Sequence, residues 1–496
     1  MSAIINNSFR KFQADNFIES FTETVSGSNT VRKNNIYLAF GKTDAWSGTT
    51  ADNLAEFRVT DGNPASDINI PLPVDTTQAS ALHWDDIRAI KRITDVSHVI
   101  ARYDWISGTV YREYSHDRDD IIDNVNPANS TNESPFYVFT DEFRVYKCIS
   151  NNNGAASTVK PTGNSEGLTK TDADGYVWKF MFEVQQADVL KYVTADWIPT
   201  KTLTADDGTK QWDVQQNAID GSIDYIKVTA GGTGYRSTVG QPVSDVAANN
   251  PDKISLQNAL DPNNNTTQVA DGSTDDYYKD MTIYITSGPG AGQFTTVTDY
   301  IAQDRLATVS PAWDVNNLPT TASVYEVRPA VTIDGTGGGQ SGGGSGITAR
   351  VSRQTEGTGA IEEITIVNRT PNAGTGYRQA TAEITSGSGA GAILKVIINP
   401  KGGHGSDPVG ELGGAFVMMN ARLRGAANTD LPIDEDFRKV HVLVNPKTLQ
   451  GDLATADTYA KNEITEDTGI ILYTEYRPPI HRSTDSTEDI KLVVEF

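Results

Sequence analysis

Apolar and polar residues alternate over many short runs of this chain, and clusters of turn residues separate the runs. NNIYLAFG (34–41), TVYREY (109–114), FYVFTDEFRVYKCIS (136–150), YVWKFMFEV (176–184), FRKVHVLVNP (437–446), IILYTEY (470–476) and IKLVVEF (490–496) have the period or apolar density of strands. NNNG (151–154) and DADG (172–175) supply turns between them. Two segments read as helices instead. Phe12, Phe17 and Phe21 recur near helical spacing, and Leu82, Ile87, Ile90 and Ile93 fall near one face of an amphipathic helix with charge opposite. Regular strand–helix alternation is missing, so a doubly wound sheet is not expected. The pattern predicts a mainly β fold: a β-sandwich-like body with a few short helices, carrying inserted small β-repeat modules.

The pattern changes near residue 215. Over 216–409 Gly, Thr, Ser and Asn dominate, and the chain repeats itself. GSIDYIKVTAGGTGYR (221–236) returns as GAIEEITIVNRTPNAGTGYR (359–378), and ITSGPGAG (285–292) as ITSGSGAG (384–391). Ile223 with Tyr225, or Ile364 with Ile366, would share one sheet face, and each GTGY supplies positive-φ glycines. Such units read as two or more β modules, and the glycine tract near 335–346 reads as flexible. Body-like composition resumes at 410. Residues 1–215 and 410–496 are therefore expected to build one split body around an insertion, since inserted length costs little closure entropy when its ends lie close.

Charge narrows the function classes. Lys and Arg number 41 against 64 Asp and Glu, a net −23, which repels a phosphate backbone; nucleic acid is not an expected partner. No apolar run approaches the roughly 20 residues of a membrane span, and the first residues lack a signal-peptide pattern. Cys148 is the single cysteine, so no intrachain disulfide can form, and its strand-like context predicts a buried thiol.

Searches for chemistry mostly fail. Gly41-Lys42-Thr43 lacks the earlier glycine of a phosphate-binding loop, with Ile36 at that place. The GxGxxG and GxSxG matches fall inside polyglycine with no helix to follow. Set on a calcium-loop template, DADG would need ligands at Lys170 and Met181. HDRDDIID (116–123) gathers four aspartates in what reads as a solvated loop. His404, Asp407 and Glu411 in GGHGSDPVGEL form one weak metal candidate; the competing reading is a glycine-rich junction in which His404 bonds a carboxylate or carbonyl. No catalytic residue and no cofactor is expected. Trp46, Trp105, Trp178 and Trp197 are core aromatics by default, with protein-interface anchors as the alternative.

NNIYLAFGKTDAWS, ARYDW, DGYVWKFMFEV, FRKVHVLVNP and the ending ILYTEYRPPIHRSTDSTEDIKLVVEF resemble, in that order, the baseplate wedge subunit called gene product eight of T-even-like contractile-tailed bacteriophages. The resemblance covers 1–215 and 410–496; the tract between them looks instead like β repeats of phage tail and fibre proteins. It implies a non-enzymatic virion protein, made in the host cytoplasm, that forms a homodimer and joins other wedge proteins in the tail baseplate. Tail-fibre contacts through the insertion are a further expectation. The matched residues read as architecture: Gly41 and Gly175 at turns, and Arg477-Pro478-Pro479 ending a strand by removing backbone donors. The alternative function is a tail-associated binding module whose insertion contacts the host surface or fibres.

Overall fold

The computed structural model describes residues 6–22, 25–27, 30–32, 34–41, 84, 86–93, 95–117, 135–171, 173–242, 244–256, 274–335, 343–367, 374–424, 436–465, 468–481 and 487–496. Strand accounts for 44% and helix for 10%, so the class is mainly β. Helices include α1 (Asn7–Thr22), α2 (Gln186–Tyr192), α3 (Lys210–Gln216) and α4 (Pro408–Glu411); Trp84 and Asp86 are also helical, and a 3-10 turn spans Lys461–Glu463.

Both ends of the chain enter the same sheets. In the first sheet the order is β25 (Thr458–Ala460), β4 (Ile87–Arg92), β3 (Ile36–Gly41), β24 (Asp436–Val444) and β26 (Ile470–His481). In the second it is β10 (Trp197–Thr200), β5 (Asp95–Ala101), β23 (Phe416–Arg424) and β27 (Thr487–Glu495). Leu38, Phe40, Val440 and Val442 of the first face Met419, Ala421, Ile490 and Leu492 of the second, and Phe17 and Phe21 of α1 pack at the margin. Each of these side chains other than Ala421 contributes about 1.5–3 kcal/mol on burial, so this two-sheet interior is a major stabiliser of the body. A short hairpin, β1 (Val25–Gly27) with β2 (Thr30–Arg32), follows α1.

A third sheet orders β6 (Tyr137–Phe139), β7 (Arg144–Ser150), β9 (Val177–Glu183) and β8 (Leu168–Lys170). Tyr137, Phe139, Val145 and Phe182 pack with Ile100 of β5 and Ile198 of β10. Its other face buries Tyr146, Cys148, Tyr176, Trp178 and Phe180 against Val214 of α3.

The tract between 216 and 409 holds two units, one nested in the other. The outer unit pairs β11 (Ile223–Thr233) with β22 (Ala390–Ile398), β19 (Ala349–Gln354) with β20 (Ile361–Ile366), and β18 (Val331–Asp334) with β21 (Thr381–Ile384). It is an internal pseudo-dimer of the sequence repeat. Ile226 opposes Val396 and Val228 opposes Leu394; in the second copy Ile364 opposes Val351 and Ile366 opposes Ala349. Each repeat thus lends its first strand to the last strand of the other. The β18–β21 pair reads the same from both ends, with Val331 opposite Ile384 and Ile333 opposite Ala382. Both GTGY motifs carry positive φ, at Gly232 and Gly234 and at Gly374 and Gly376.

Between the first repeat's opening strand and β18 the chain makes a separate antiparallel sheet. Its order is β12 (Thr238–Gly240), β17 (Val324–Arg328), β14 (Thr282–Ser287), β15 (Phe294–Ile301), β16 (Leu306–Ser310) and β13 (Lys253–Ser255). Its core, which includes Ile254, Tyr278, Ile283, Val297, Trp313 and Tyr325, draws no residue from outside 246–327. Arg236 lies over the Tyr277 ring at 4.0 Å and Arg350 over Tyr284 at 3.8 Å, clamping the inner unit to the outer one.

Several expectations change. The predicted helix at Ile87, Ile90 and Ile93 is strand β4. A bulge opposite Phe40 and Gly41 slips the alternation, so that Ile87 and Ile90, three apart, point into one cluster while Ala89 and Ile93 point into another. Gly41 is the last residue of β3 at that bulge rather than a turn; a Cβ there would stand 2.7 Å from the Asp86 carbonyl oxygen. TVYREY is not a strand. Pro478 and Pro479 do not end β26, which runs to His481; they sit in a bulge opposite Phe437 and Lys439 on a sheet-edge strand, where no ladder donor is needed. Ile223 and Tyr225 do not share a face, because a bulge between them turns Tyr225 toward the body. ITSGPGAG closes the β14–β15 hairpin, whereas ITSGSGAG joins β21 to β22, which do not pair. Leu82, Trp46, residues 336–342 of the glycine tract and 118–123 of the aspartate run lie outside the described residues.

Candidate functional site

The most unusual chemistry in the body lies where the chain returns from the insertion. Glycines carry it there: Gly402, Gly403 and Gly405 all have positive φ, and a Cβ on Gly405 would strike Val214. α4 then begins at Pro408 behind the cap Asp407, whose carboxylate accepts from Gly410 N at 3.2 Å. This path drives His404 and Glu411 into the interior against β7. Lys147, fully buried in the middle of β7, ion-pairs with Glu411 Oε2. The Lys147 ammonium also lies 4.8 Å from the centre of the Tyr114 ring, and Tyr114 meets the His404 imidazole edge-on at 4.7 Å.

The charges are tuned by this enclosure. Burial would raise the Glu411 carboxyl, but Lys147 and His404 together outweigh it and hold the group down at about 2. Glu411 Oε1 also accepts from Gly405 N at 2.7 Å. Burial, reinforced by Lys147, lowers His404 to about 4, so the imidazole is neutral. Neither His404 nitrogen makes a hydrogen bond among the described residues; Nδ1 stands 3.8 Å from Glu411 Oε2. Burial lowers Lys147, with Glu411 opposing the shift.

The metal candidate is therefore not assembled. His404 and Glu411 meet, but a lysine occupies the carboxylate, and Asp407 faces elsewhere, accepting from Thr202 Oγ1 at 2.6 Å and lying 3.6 Å from Lys11 Nζ. Among the described residues no group of three metal-ligating side chains converges. The glycine-rich junction is the arrangement present, although His404 has no hydrogen bond. Lys147, the centre of the cluster, was missed in the sequence: in FRVYKCIS it reads as the polar member of an alternating strand.

The remaining singled-out residues hold the scaffold. Trp178 is buried, stacked on Tyr176 at 5.3 Å and edge-on to Tyr111 at 5.7 Å. Trp105 is half-buried, its Nε1 donating to Ser157 Oγ at 3.1 Å. Trp197 packs on Phe416 at 4.6 Å. Gly175 has φ +73, and a Cβ there would stand 2.7 Å from Asn152 Nδ2. Asp174 accepts from the Thr158, Val159 and Tyr176 amides; although burial raises its carboxyl, these bonds and Thr171 bring it below the usual range, making Asp174 a buried anchor. Arg477 Nη2 donates to Lys491 O at 2.6 Å, joining β26 to β27. Pro478 is exposed. Burial pushes the Cys148 thiol well up, which keeps it protonated and unreactive.

Polar links dock the insertion on the third sheet. Lys227 of β11 pairs with Glu113 at 2.6 Å, Lys170 of β8 with Glu363 of β20 at 2.9 Å, and Ile397 and Tyr225 pack with Tyr114, Ile149 and Val177. No helix among the described residues is long and apolar enough to cross a membrane. Comparison with protein-family models and with curated proteins finds no match to this chain.

Proposed function

We propose that the chain is a structural subunit of a contractile phage tail, a baseplate wedge component that dimerises and links neighbouring wedge proteins. The observation that carries this reading is a division within the fold. The described parts of the wedge-like segments lie in the three body sheets or the loops beside them, including β3, β9, β24, β26 and β27, and none enters the nested units. A body closed by both chain ends suits a part that must hold its shape while neighbours repack around it. The acidic surface suits selection among partners more than tight binding. Multi-angle light scattering should return a dimer, and a reconstruction of the intact tail should place the subunit in the baseplate. A monomer absent from purified virions would sink the reading.

A second reading has its own support in the self-contained core of the inner unit. A domain that adds nothing to the body's core is suited to contacts with a host surface or a fibre. Phage lacking residues 237–329 should then assemble tails and fail to adsorb; normal adsorption would remove this reading and leave the first standing.

A further inference from the structure

A cleft of about 490 Å³ lies where the third body sheet faces the outer repeat unit. Sites for small ligands favour such junctions between units. Its chemistry is unusual for a cleft of that size. Ile226 and Ile364 reach its wall but turn their side chains into the core of the repeat unit. What remains toward the cleft is polar.

Each cation there is paired with a carboxylate, and Asp174, the remaining carboxylate of the lining, accepts from the Thr158, Val159 and Tyr176 amides. Lys170 is paired with Glu363 at 2.9 Å, Lys227 with Glu113 at 2.6 Å, and Arg353 Nε with Glu362 at 2.7 Å. A phosphorylated or carboxylated ligand would have to break a pair and leave a carboxylate unmatched, at a cost a neutral ligand avoids. Two amides stand at the body wall on consecutive left-handed residues, Asn152 (φ 49) and Asn153 (φ 58). Their Nδ2 atoms donate to Asp174 O at 3.0 Å within the body and to Val228 O at 3.3 Å across the junction, which fixes both amide planes. Planar amides, carboxylates and a guanidinium, held rigid with every cation paired, match pairs of adjacent hydroxyls. An extended peptide is a poorer fit. Peptide recognition by strand addition takes its specificity from pockets for alternate side chains, and this wall offers polar groups instead.

We infer that this cleft binds a neutral oligosaccharide, held by hydrogen bonds from both the body and the repeat unit. The inference is independent of the assembly role. Its test is an array of neutral oligosaccharides of glucose, galactose, mannose and N-acetylglucosamine, beside uronic-acid and sialylated glycans and a peptide set, followed by titration calorimetry of the best binder. Arg353→Ala and Glu362→Gln change side chains that are 59% and 35% exposed, so the fold should keep its melting temperature. Expected is binding of a neutral glycan that is insensitive to salt and weakened at least tenfold in each variant. No neutral binder, wild-type affinity in both variants, or binding confined to acidic glycans or peptides would overturn it.

Discussion

Tyr235 and Tyr377 lie over equivalent glycines of opposite repeats, Tyr235 against Gly389 and Tyr377 against Gly344, each ring filling the space a Cβ would take. The exchange is reciprocal in the backbone as well. Tyr377 N donates to Gly221 O at 2.9 Å, and a Cβ on Gly221 would stand 2.6 Å from the Tyr377 carbonyl oxygen; Gly359 is blocked in the same way by Tyr235. The two copies of GTGY are thus the interlock of a pseudo-symmetric pair.

Gly344→Ala and Gly389→Ala should therefore destabilise the repeat unit by similar amounts, about 1–3 kcal/mol each, through overpacking on a tyrosine ring. Gly357→Ala, with positive φ but open space around it, should cost only the backbone strain, about 1 kcal/mol. Denaturant titration followed by tyrosine fluorescence measures all three. Widely different costs at Gly344 and Gly389 would show that the copies are not equivalent.

His404 makes stability depend on pH in one window. Its pKa falls from an ordinary 6.5 to about 4 on folding, so between those values the unfolded chain binds a proton that the folded chain does not. Stability should fall as pH drops from 6.5 to 4, by about 3 kcal/mol at most from this group. His404→Phe, which retains an edge-on ring beside Tyr114, should flatten that part of the curve. Unfolding free energies across the window compare the two proteins, and parallel curves would contradict the assignment.

Lys147→Met should be among the most damaging single changes in the body. It strands a buried carboxylate, and breaking such a pair costs about 3–5 kcal/mol. The double variant Lys147→Met/Glu411→Leu should recover much of the loss by removing both charges. A double variant no better than the single one would mean that the pair serves chiefly to hold the Gly405 and Asp407 amides through Glu411.

Residues 237–329 should be removable. β12 and β17, the first and last strands of the inner unit, pair through Thr238 and Val327, so its two ends lie side by side and a short glycine linker can replace it. The shortened protein should keep its cooperative unfolding, and the excised piece should show its own transition by calorimetry. Loss of cooperativity in the remainder would mean that Arg236 and Arg350 need the inner unit to hold the outer one.

Sheet-forming segments were legible where apolar density was high, as in β3, β7, β9 and β24, because strands buried on both faces leave long apolar runs. The amphipathic reading of β4 failed for a definite reason: a bulge imitates helical spacing, and a single sequence does not display the partner strand that creates it. Repeats were legible as repeats, yet not as exchanged strands, since pairing between distant segments leaves no local mark. The junction cluster was half legible. His404 and Glu411 stood out by type and spacing, whereas Lys147 is distant in sequence and becomes central only when β7 is laid beside the returning chain.

The nesting also orders events on the ribosome. β3 and β5 emerge early, but β24 and β23, which they pair with, are encoded at 436–444 and 416–424. The inner unit can close as soon as its last strand is made, the interlocked repeats next, and the body only after β23, β24, β26 and β27 have followed. Nascent chains thus mature from the inside outward, with β3 and β5 waiting longest for their second partners and depending most on chaperones during synthesis.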